Sequence, residues 1–264
     1  MTTSNSTRTA ELRLEEVARI PFAVSTMHQA VEWLVDRIQA ARPVSVRFAN
    51  AWSVVSAHRD PDYLGTMRSG GVSFPDGAPV AVALRVLRGA RDARRVRGPS
   101  FFVEALGRTS TTPIRHYFLG TSADTLSAMT STIGARWPEL QVAGAYGPPM
   151  GPITDVRVEE WARRIEATGA QCVWIAFGTP KQDVLAARLA ARLGVPCVAV
   201  GAAFDFLAGT KAEAPRWMQR GGVEWVFRLL SEPGRLWRRY LIGNVRFLIL
   251  VATGEGRGAS MPRR

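Results

Sequence analysis

The chain has 264 residues, 47% hydrophobic and 21% charged, which is enough for one large α/β domain with a sizeable core. Two cysteines exclude a disulfide scaffold, and three scattered histidines with no metal-ligand spacing exclude a zinc motif. A net charge of +12 points to an anionic partner: nucleic acid, phospholipid or a phosphorylated substrate.

The lead "MTTSNSTRTAELRLEE" has no apolar core, so residues 1–17 read as a disordered segment rather than a signal peptide. Apolar β-branched runs then alternate with helical patterns. "SVRFAN" reads as a strand, "AWSVVSAHRDPDYLGTMRSG" as two helices, "GVSFP" as a strand and "APVAVALRVLRG" as a helix with Pro79 in its first turn. Strands "IRHYFLG", "LQVAGAYG", "QCVWIAFG" and "VPCVAVG" follow. They are separated by the helices "ADTLSAMTSTIGARW", "ITDVRVEEWARRIEATG" and "KQDVLAARLAARLG". This alternation predicts a parallel sheet with helices on both faces, spanning 18–210. Cys172 and Cys197 each lie in an apolar strand, as buried thiols on neighbouring strands would.

The composition changes after Lys211. Residues 211–264 hold eleven Lys/Arg and four Glu, a net +7 of the total +12. Two helices, "GGVEWVFRLLSE" and "GRLWRRYLIGNVRFLILVA", meet at Pro233-Gly234 and form a basic appendage over 211–252, with a disordered tail at 253–264. No run reaches the ~20 apolar residues of a transmembrane helix. The expected protein is soluble or peripheral.

Several strands end in glycine and polar residues, among them Gly120, Thr121 and Ser122, then Gly178, Thr179, Lys181 and Gln182. Ligands of open α/β sheets bind at such carboxyl ends, and exposed N–H groups at helix starts suit phosphates. Neither loop matches the dinucleotide or P-loop glycine pattern. Asp76 in "FPDG" has two local readings, a turn or helix cap and a reactive carboxylate; Asn50 has a cap reading too. Arg228, Arg235, Arg238 and Arg239 interleave with Trp225, Phe227, Trp237 and Tyr240. Such a cluster suits a diphosphate or a lipid interface, and a packed helical pair with exposed arginines stays open beside these readings.

Taken in order, "FAN", "FPDG", "RRVRG", "HYFLG", "FGTPKQD", "VGAAFDFLAG" and "APRWMQRGGVEWVFRLLSEPGRLWRRYLIGN" resemble the WecG/TagA/CpsF glycosyltransferases, family 26, over about residues 20 to 250. The resemblance implies a Rossmann-like core of the GT-E type and a C-terminal appendage that associates with membrane and completes the site. It implies inverting transfer of a sugar from a nucleotide-diphosphate donor, usually UDP-linked, to a polyprenyl-diphosphate-linked saccharide of a bacterial surface polysaccharide. No metal or cofactor is implied. Asp76 matches the aspartate proposed as catalytic base. Arg95 matches an arginine near the pocket, Gln182 the glutamine of a P-K-Q-E signature and Asn50 the asparagine of a T-x-N signature. Gly120 belongs to the matching "HYFLG", and Arg228, Arg235 and Arg238 match appendage arginines that hold diphosphate. Two departures stand out: Phe48 replaces a frequent threonine, and Asp183 replaces the glutamate after Gln182.

The implied location is cytoplasmic, peripheral on the inner face of the plasma membrane, with an anionic membrane surface as partner, no nucleic acid and a possible homo-oligomer. The competing class is a nucleotide-dependent oxidoreductase of Rossmann type, which would need a glycine fingerprint and a ribose-binding acid that the sequence does not display. A nucleic-acid-binding protein is a third, motivated by charge alone.

Overall fold

The structure is a computed structural model, described for residues 11–69, 71–149 and 151–253; the side chains of Arg220 and Arg235 are not among those described. Eight strands form one sheet in the order β1-β2-β4-β3-β8-β7-β5-β6. The strands are β1 (Leu14–Val17), β2 (Ile20–Ala23), β3 (Ser45–Ala49), β4 (Gly71–Pro75), β5 (Arg115–Gly120), β6 (Gln141–Tyr146), β7 (Cys172–Ala176) and β8 (Cys197–Ala199). Only β1 and β2 pair antiparallel, as a hairpin; every other neighbouring pair is parallel. The expected parallel α/β core with helices on both faces is what forms.

The hairpin corrects one expectation. Residues 14–17 do not belong to a disordered lead; they form β1, turned onto β2 through Ala18 and Arg19 at positive φ. Ile20, Phe22 and Val17 are buried there, so apolar burial outweighs the two glutamates of "LEEV". Residues 1–10 and 254–264, where the rest of the lead and most of the tail were placed, lie outside the described residues.

One face of the sheet is covered by α1 (Met27–Gln39), α5 (Gly98–Thr109) and α6 (Ala123–Arg136) around an aromatic core of Phe48, Phe74, Phe101, Phe102, Phe118 and Trp174. The other face carries α2 (Ala51–Ala57), α3 (Pro61–Arg68) and α4 (Ala78–Leu87) over one half, and α7 (Asp155–Glu166) and α8 (Lys181–Leu193) over the other. Capping explains several starts. Thr26 and Gln29 form a reciprocal capping box on α1, Ser122 caps α6 and Thr154 caps α7. Gly194, at φ 70°, ends α8 in the left-handed conformation glycine adopts without strain.

Cys172 and Cys197 sit buried on adjacent strands as free thiols. His116 is a core residue: Trp174 Nε1 donates to it, Thr109 Oγ1 lies 3.0 Å from its other nitrogen, and burial pushes its pKa down to about 4.

After β8 the chain forms α9 (Ala203–Leu207), α10 (Arg216–Arg220), α11 (Glu224–Ser231), α12 (Pro233–Trp237), a wide π-helical turn Arg238–Ile242, and α13 (Gly243–Ala252). The appendage is docked, not loose. Phe247 is buried in the same cluster as Val54, Val80 and Leu84. Gly243 passes so close to Trp52 that a Cβ would stand 3.1 Å from its ring. No helix among the described residues is long and apolar enough to cross a membrane.

Candidate active site

Parallel strands all point their carboxyl ends to one edge, and that edge opens into a cleft of about 750 Å³. Asn50 follows β3, Asp76 follows β4, Thr121 follows β5 and Gln182 opens α8 after β7; all four line it. The appendage supplies Arg228, Leu236 and Arg239 from the opposite side. A smaller cavity of about 60 Å³ adjoins it, also lined by Asn50, Asp76, Arg228 and Arg239 and extended by Trp52, Trp225 and Tyr240.

Asp76 is not a helix cap. Gly77 occupies the N-cap of α4, with no side-chain hydrogen bond there. The main chain of Asp76 is fixed instead: its N–H donates to the Ala49 carbonyl at 3.0 Å, and its own carbonyl accepts from Arg95 Nε at 2.5 Å. Its Oδ1 is buried with no hydrogen-bond partner. Burial pushes the carboxyl pKa up, Arg95 pulls it down, Glu224 pushes it up, and Arg97 and Arg228 pull it down, the net shift being upward. A carboxylate so placed binds a proton more readily than one in water, which is what a general base requires.

Asn50 does cap: its Oδ1 accepts from Trp52 N at 3.0 Å and Ser53 N at 3.2 Å at the start of α2. That fixes the side chain beside Gly77, whose Cβ, if present, would lie 3.1 Å from the Asn50 Cβ. The cap thus holds the amide next to Asp76 at the cleft wall. Gln182 is buried, and its Oε1 accepts from the Gly178 N–H at 2.9 Å, locking the loop after β7. Gly120 does not line either cavity. It stands at φ 118°, where a Cβ would meet the Ala176 carbonyl oxygen at 2.4 Å, so glycine is what lets β5 and β7 close together and places Thr121 in the cleft.

Arg95 borders the smaller cavity, but its guanidinium is already engaged. It pairs with Glu224 at 2.9 Å and donates to the Gln219 carbonyl at 3.0 Å. Arg97 grips the other Glu224 oxygen at 2.7 Å and Glu213 at 2.5 Å. The two arginines clasp the appendage to the core. Burial works against the Glu224 carboxylate, yet Arg97 and Arg95 outweigh it and lower its pKa.

Of the appendage arginines, Arg228 faces both cavities, with its guanidinium 5.1 Å above the Phe206 ring. Burial disfavours its charge, but Tyr240, Asp76 and Glu224 more than compensate and its pKa is raised. Arg238 lines neither cavity; it is exposed, over the Trp237 ring at 5.2 Å. The side chain of Arg235 lies outside the described residues. Arg239 lines both cavities; the sequence places it in the arginine cluster but the resemblance does not match it to a diphosphate-holding arginine, since neighbouring helix residues point about 100° apart and the phase that chooses between them is set only by docking.

The two departures are legible in space. Phe48 lines the cleft, packs on Phe101 at 4.9 Å between centroids and lies against Gly98, whose Cβ would come within 3.2 Å of its ring. At that point the cleft has an aromatic wall. Asp183 is buried and accepts from Tyr63 Oη at 2.6 Å; burial lifts its pKa to about 6 against the pull of Tyr63, Arg47 and Arg239. Arg47 is itself fully buried on β3, and burial lowers its pKa despite Asp183. Among the described residues no group of three or more His, Cys, Asp or Glu is gathered to hold a metal ion.

A mostly parallel open sheet with a ligand-sized cleft at its carboxyl edge is an α/β protein of Rossmann-like architecture. A family model described as "Glycosyl transferase WecG/TagA/CpsF family" matches residues 15–259. The chain belongs to that family and is a glycosyltransferase. It is also 27% identical over 234 residues, covering 87% of this chain and 88% of the relative, to a Bacillus subtilis (strain 168) protein named N-acetylglucosaminyldiphosphoundecaprenol N-acetyl-beta-D-mannosaminyltransferase.

Proposed function

We propose that the enzyme transfers a sugar, with inversion, from a UDP-linked donor to a polyprenyl-diphosphate-linked N-acetylglucosamine in the synthesis of a bacterial surface polysaccharide. The observation that carries this is Asp76: an uncapped, desolvated carboxylate between two cavities, faced by Arg228. In the reaction the acceptor hydroxyl oxygen bonds to the donor's anomeric carbon and gives its proton to Asp76. The bond from that carbon to the diphosphate breaks, and its electron pair leaves with the nucleoside diphosphate. One carboxylate serves for such an inverting step. Negative charge grows on the leaving diphosphate, and preorganised cations and N–H groups in a water-poor cleft stabilise it strongly. Arg228 and the start of α8 supply such groups here.

The relative's printed name supports N-acetylmannosamine as the sugar and N-acetylglucosaminyl diphosphoundecaprenol as the acceptor. Phe48 at the cleft wall makes the sugar the point at which this chain can differ.

The acceptor is a lipid, and the appendage suits a peripheral position on the inner face of the plasma membrane. Leu241 in the π-helical turn and Val245, Leu248 and Ile249 in α13 are all more than half exposed, whereas Phe247 is buried. An apolar stripe beside exposed arginines fits an anionic lipid surface. A donor panel of UDP-N-acetylmannosamine, its uronic acid and UDP-glucose, with a short-chain polyprenyl-diphosphate N-acetylglucosamine, tests the reading by UDP release. Release with the first donor supports it; no acceptor-dependent release with any of the three refutes it.

A further inference from the structure

The excess positive charge of the chain is held in two places. Residues 211–264 carry +7, and residues 77–97 hold six arginines against one acid, a net +5. The rest of the sequence balances, with seventeen basic and seventeen acidic residues. The second place is α4 and the loop that follows it, in the core and not in the appendage. Arg95 and Arg97 of that segment belong to the clasp with Glu224, but Arg85, Arg91 and Arg94 are exposed. Its one acid, Asp92, is taken by Arg13 at 2.7 Å.

Aliphatic side chains stand exposed among these arginines. Val82 is 45% exposed, Val86 73% and Leu87 51%. Val82, Arg85 and Val86 stand at spacings of three and four, so they share one face of α4, while Val80 and Leu84 are buried in the core. Arg88 ties the end of the helix to the hairpin, its Nε donating to the Glu16 carbonyl at 2.5 Å. α4 and α13 lie on the same face of the sheet and bury Val80, Leu84 and Phe247 in one cluster. Both begin at the cleft: α4 opens two residues after Asp76, and α13 opens against Trp52. The smaller cavity sits between the two starts, walled by Ala78 and Pro79 from α4, Asn244 from α13, and Asp76.

We infer that α4 and the loop to Arg94 form a second lipid-docking surface, in the core itself, which meets an anionic bilayer together with the exposed residues of α13. This rests on the peripheral-membrane part of the function proposed above and adds to it a surface outside the appendage. Aliphatic groups set among arginines match a headgroup layer twice over: the charge meets anionic headgroups, and the aliphatic groups enter just beneath them. A nucleic acid would use the charge and leave Val82, Val86 and Leu87 in water. With both helices on the bilayer, a lipid-borne acceptor enters between their first turns and meets Asp76 without leaving the membrane.

The test uses the full chain and measures sedimentation with vesicles of phosphatidylglycerol and phosphatidylcholine in equal parts. Arg85→Gln with Arg91→Gln is expected to weaken binding ~10-fold or more, and Val86→Asp ~5-fold or more. Arg42→Gln with Arg136→Gln removes the same charge beyond α1 and α6, the helices of the opposite face, and is expected to stay within ~2-fold of wild type because distant charges are screened. UDP release separates docking from damage to the site. With a water-soluble short-chain acceptor the α4 variants are expected to match wild type; with a long-chain acceptor embedded in the vesicles they are expected to lose ~5-fold or more in kcat/KM. Vesicle binding equal to wild type in both α4 variants, or an equal loss in the Arg42→Gln with Arg136→Gln control, overturns the inference. Conversion of a dimer to monomers by the α4 variants, with lipid binding intact, makes the face a contact between copies and overturns it too. Failure of the wild type itself to bind refutes the peripheral-membrane reading as well, whereas wild-type binding with unaffected α4 variants refutes the α4 surface alone.

Discussion

Replacing Glu224 with glutamine probes the clasp between core and appendage. Glu224 takes Arg95 at 2.9 Å and Arg97 at 2.7 Å, and the three side chains are only 7% to 17% exposed, so solvent screens the pairs little. Removing one partner of a buried ion pair costs ~3–5 kcal/mol. Here Arg97 keeps Glu213, and Arg95 keeps the Asp76 and Gln219 carbonyls, which places the loss near the lower end, about 3 kcal/mol. For a chain of this size that lowers Tm by about 6–12 °C in differential scanning fluorimetry. The variant also carries a signature that a loss of stability alone would not produce. Glu224 pushes the Asp76 pKa up, whereas Arg95 and Arg97 pull it down; without the carboxylate both arginines act unopposed. The acid limb of the kcat/KM profile moves to lower pH. An unchanged Tm, or an acid limb that stays in place or moves to higher pH, would refute the argument.

Asp76→Asn removes the base while keeping the shape; turnover falls at least ~10²–10⁴-fold, with UDP binding by calorimetry and Tm held. In the wild type kcat/KM declines as pH falls through a pKa above the ordinary carboxylate value of 3.8, because the protonated acid cannot accept the acceptor's proton. The stability effect has the opposite sign: the raised folded pKa contributes fully below 3.8 and is lost as pH rises through it, as urea melts across that window would show. Gly120→Ala costs ~1–3 kcal/mol from backbone strain alone and more from the Ala176 carbonyl, read as a lower urea midpoint. Truncation after Leu207 uncovers the pocket that Phe247 fills and strands Arg95 and Arg97 without Glu224. A folded but poorly active core with weakened binding to anionic vesicles is expected, and equal sedimentation of truncated and full-length protein would count against lipid docking by the appendage.

Strands β3, β5, β7 and β8 were legible because their burial on both faces writes itself as continuous apolar runs. The hairpin was not: four-residue strands with two glutamates on the edge carry little periodicity, and the contacts that order them lie far along the chain. Neither α1 nor α5 was among the expected helices, although Thr26 and Gln29 form a capping box on α1 and Gly98-Pro99 opens α5. In the site, Asp76 reads locally as a turn, and only the family resemblance makes it a candidate base; the neighbours it has in space, from β3 and from a segment some 150 residues later, are not visible in its own stretch. Arg95 reads as a ligand residue because nothing nearby in sequence reveals that its carboxylate partner is Glu224. Arg238 and Arg239 are equivalent on paper and separate only once the helix is docked.

The position of β8 in the sheet sets a rule for how the molecule can be made. Only three residues long, it lies between β3 and β7, which do not touch one another. Without residues 197–199, β1 to β4 and β5 to β7 would be two half-sheets with no strand joining them. Everything the catalyst needs from the second half, and the clasp that follows, comes after that keystone. The cleft is thus incomplete until residues 197–199 and the appendage that follows them are in place.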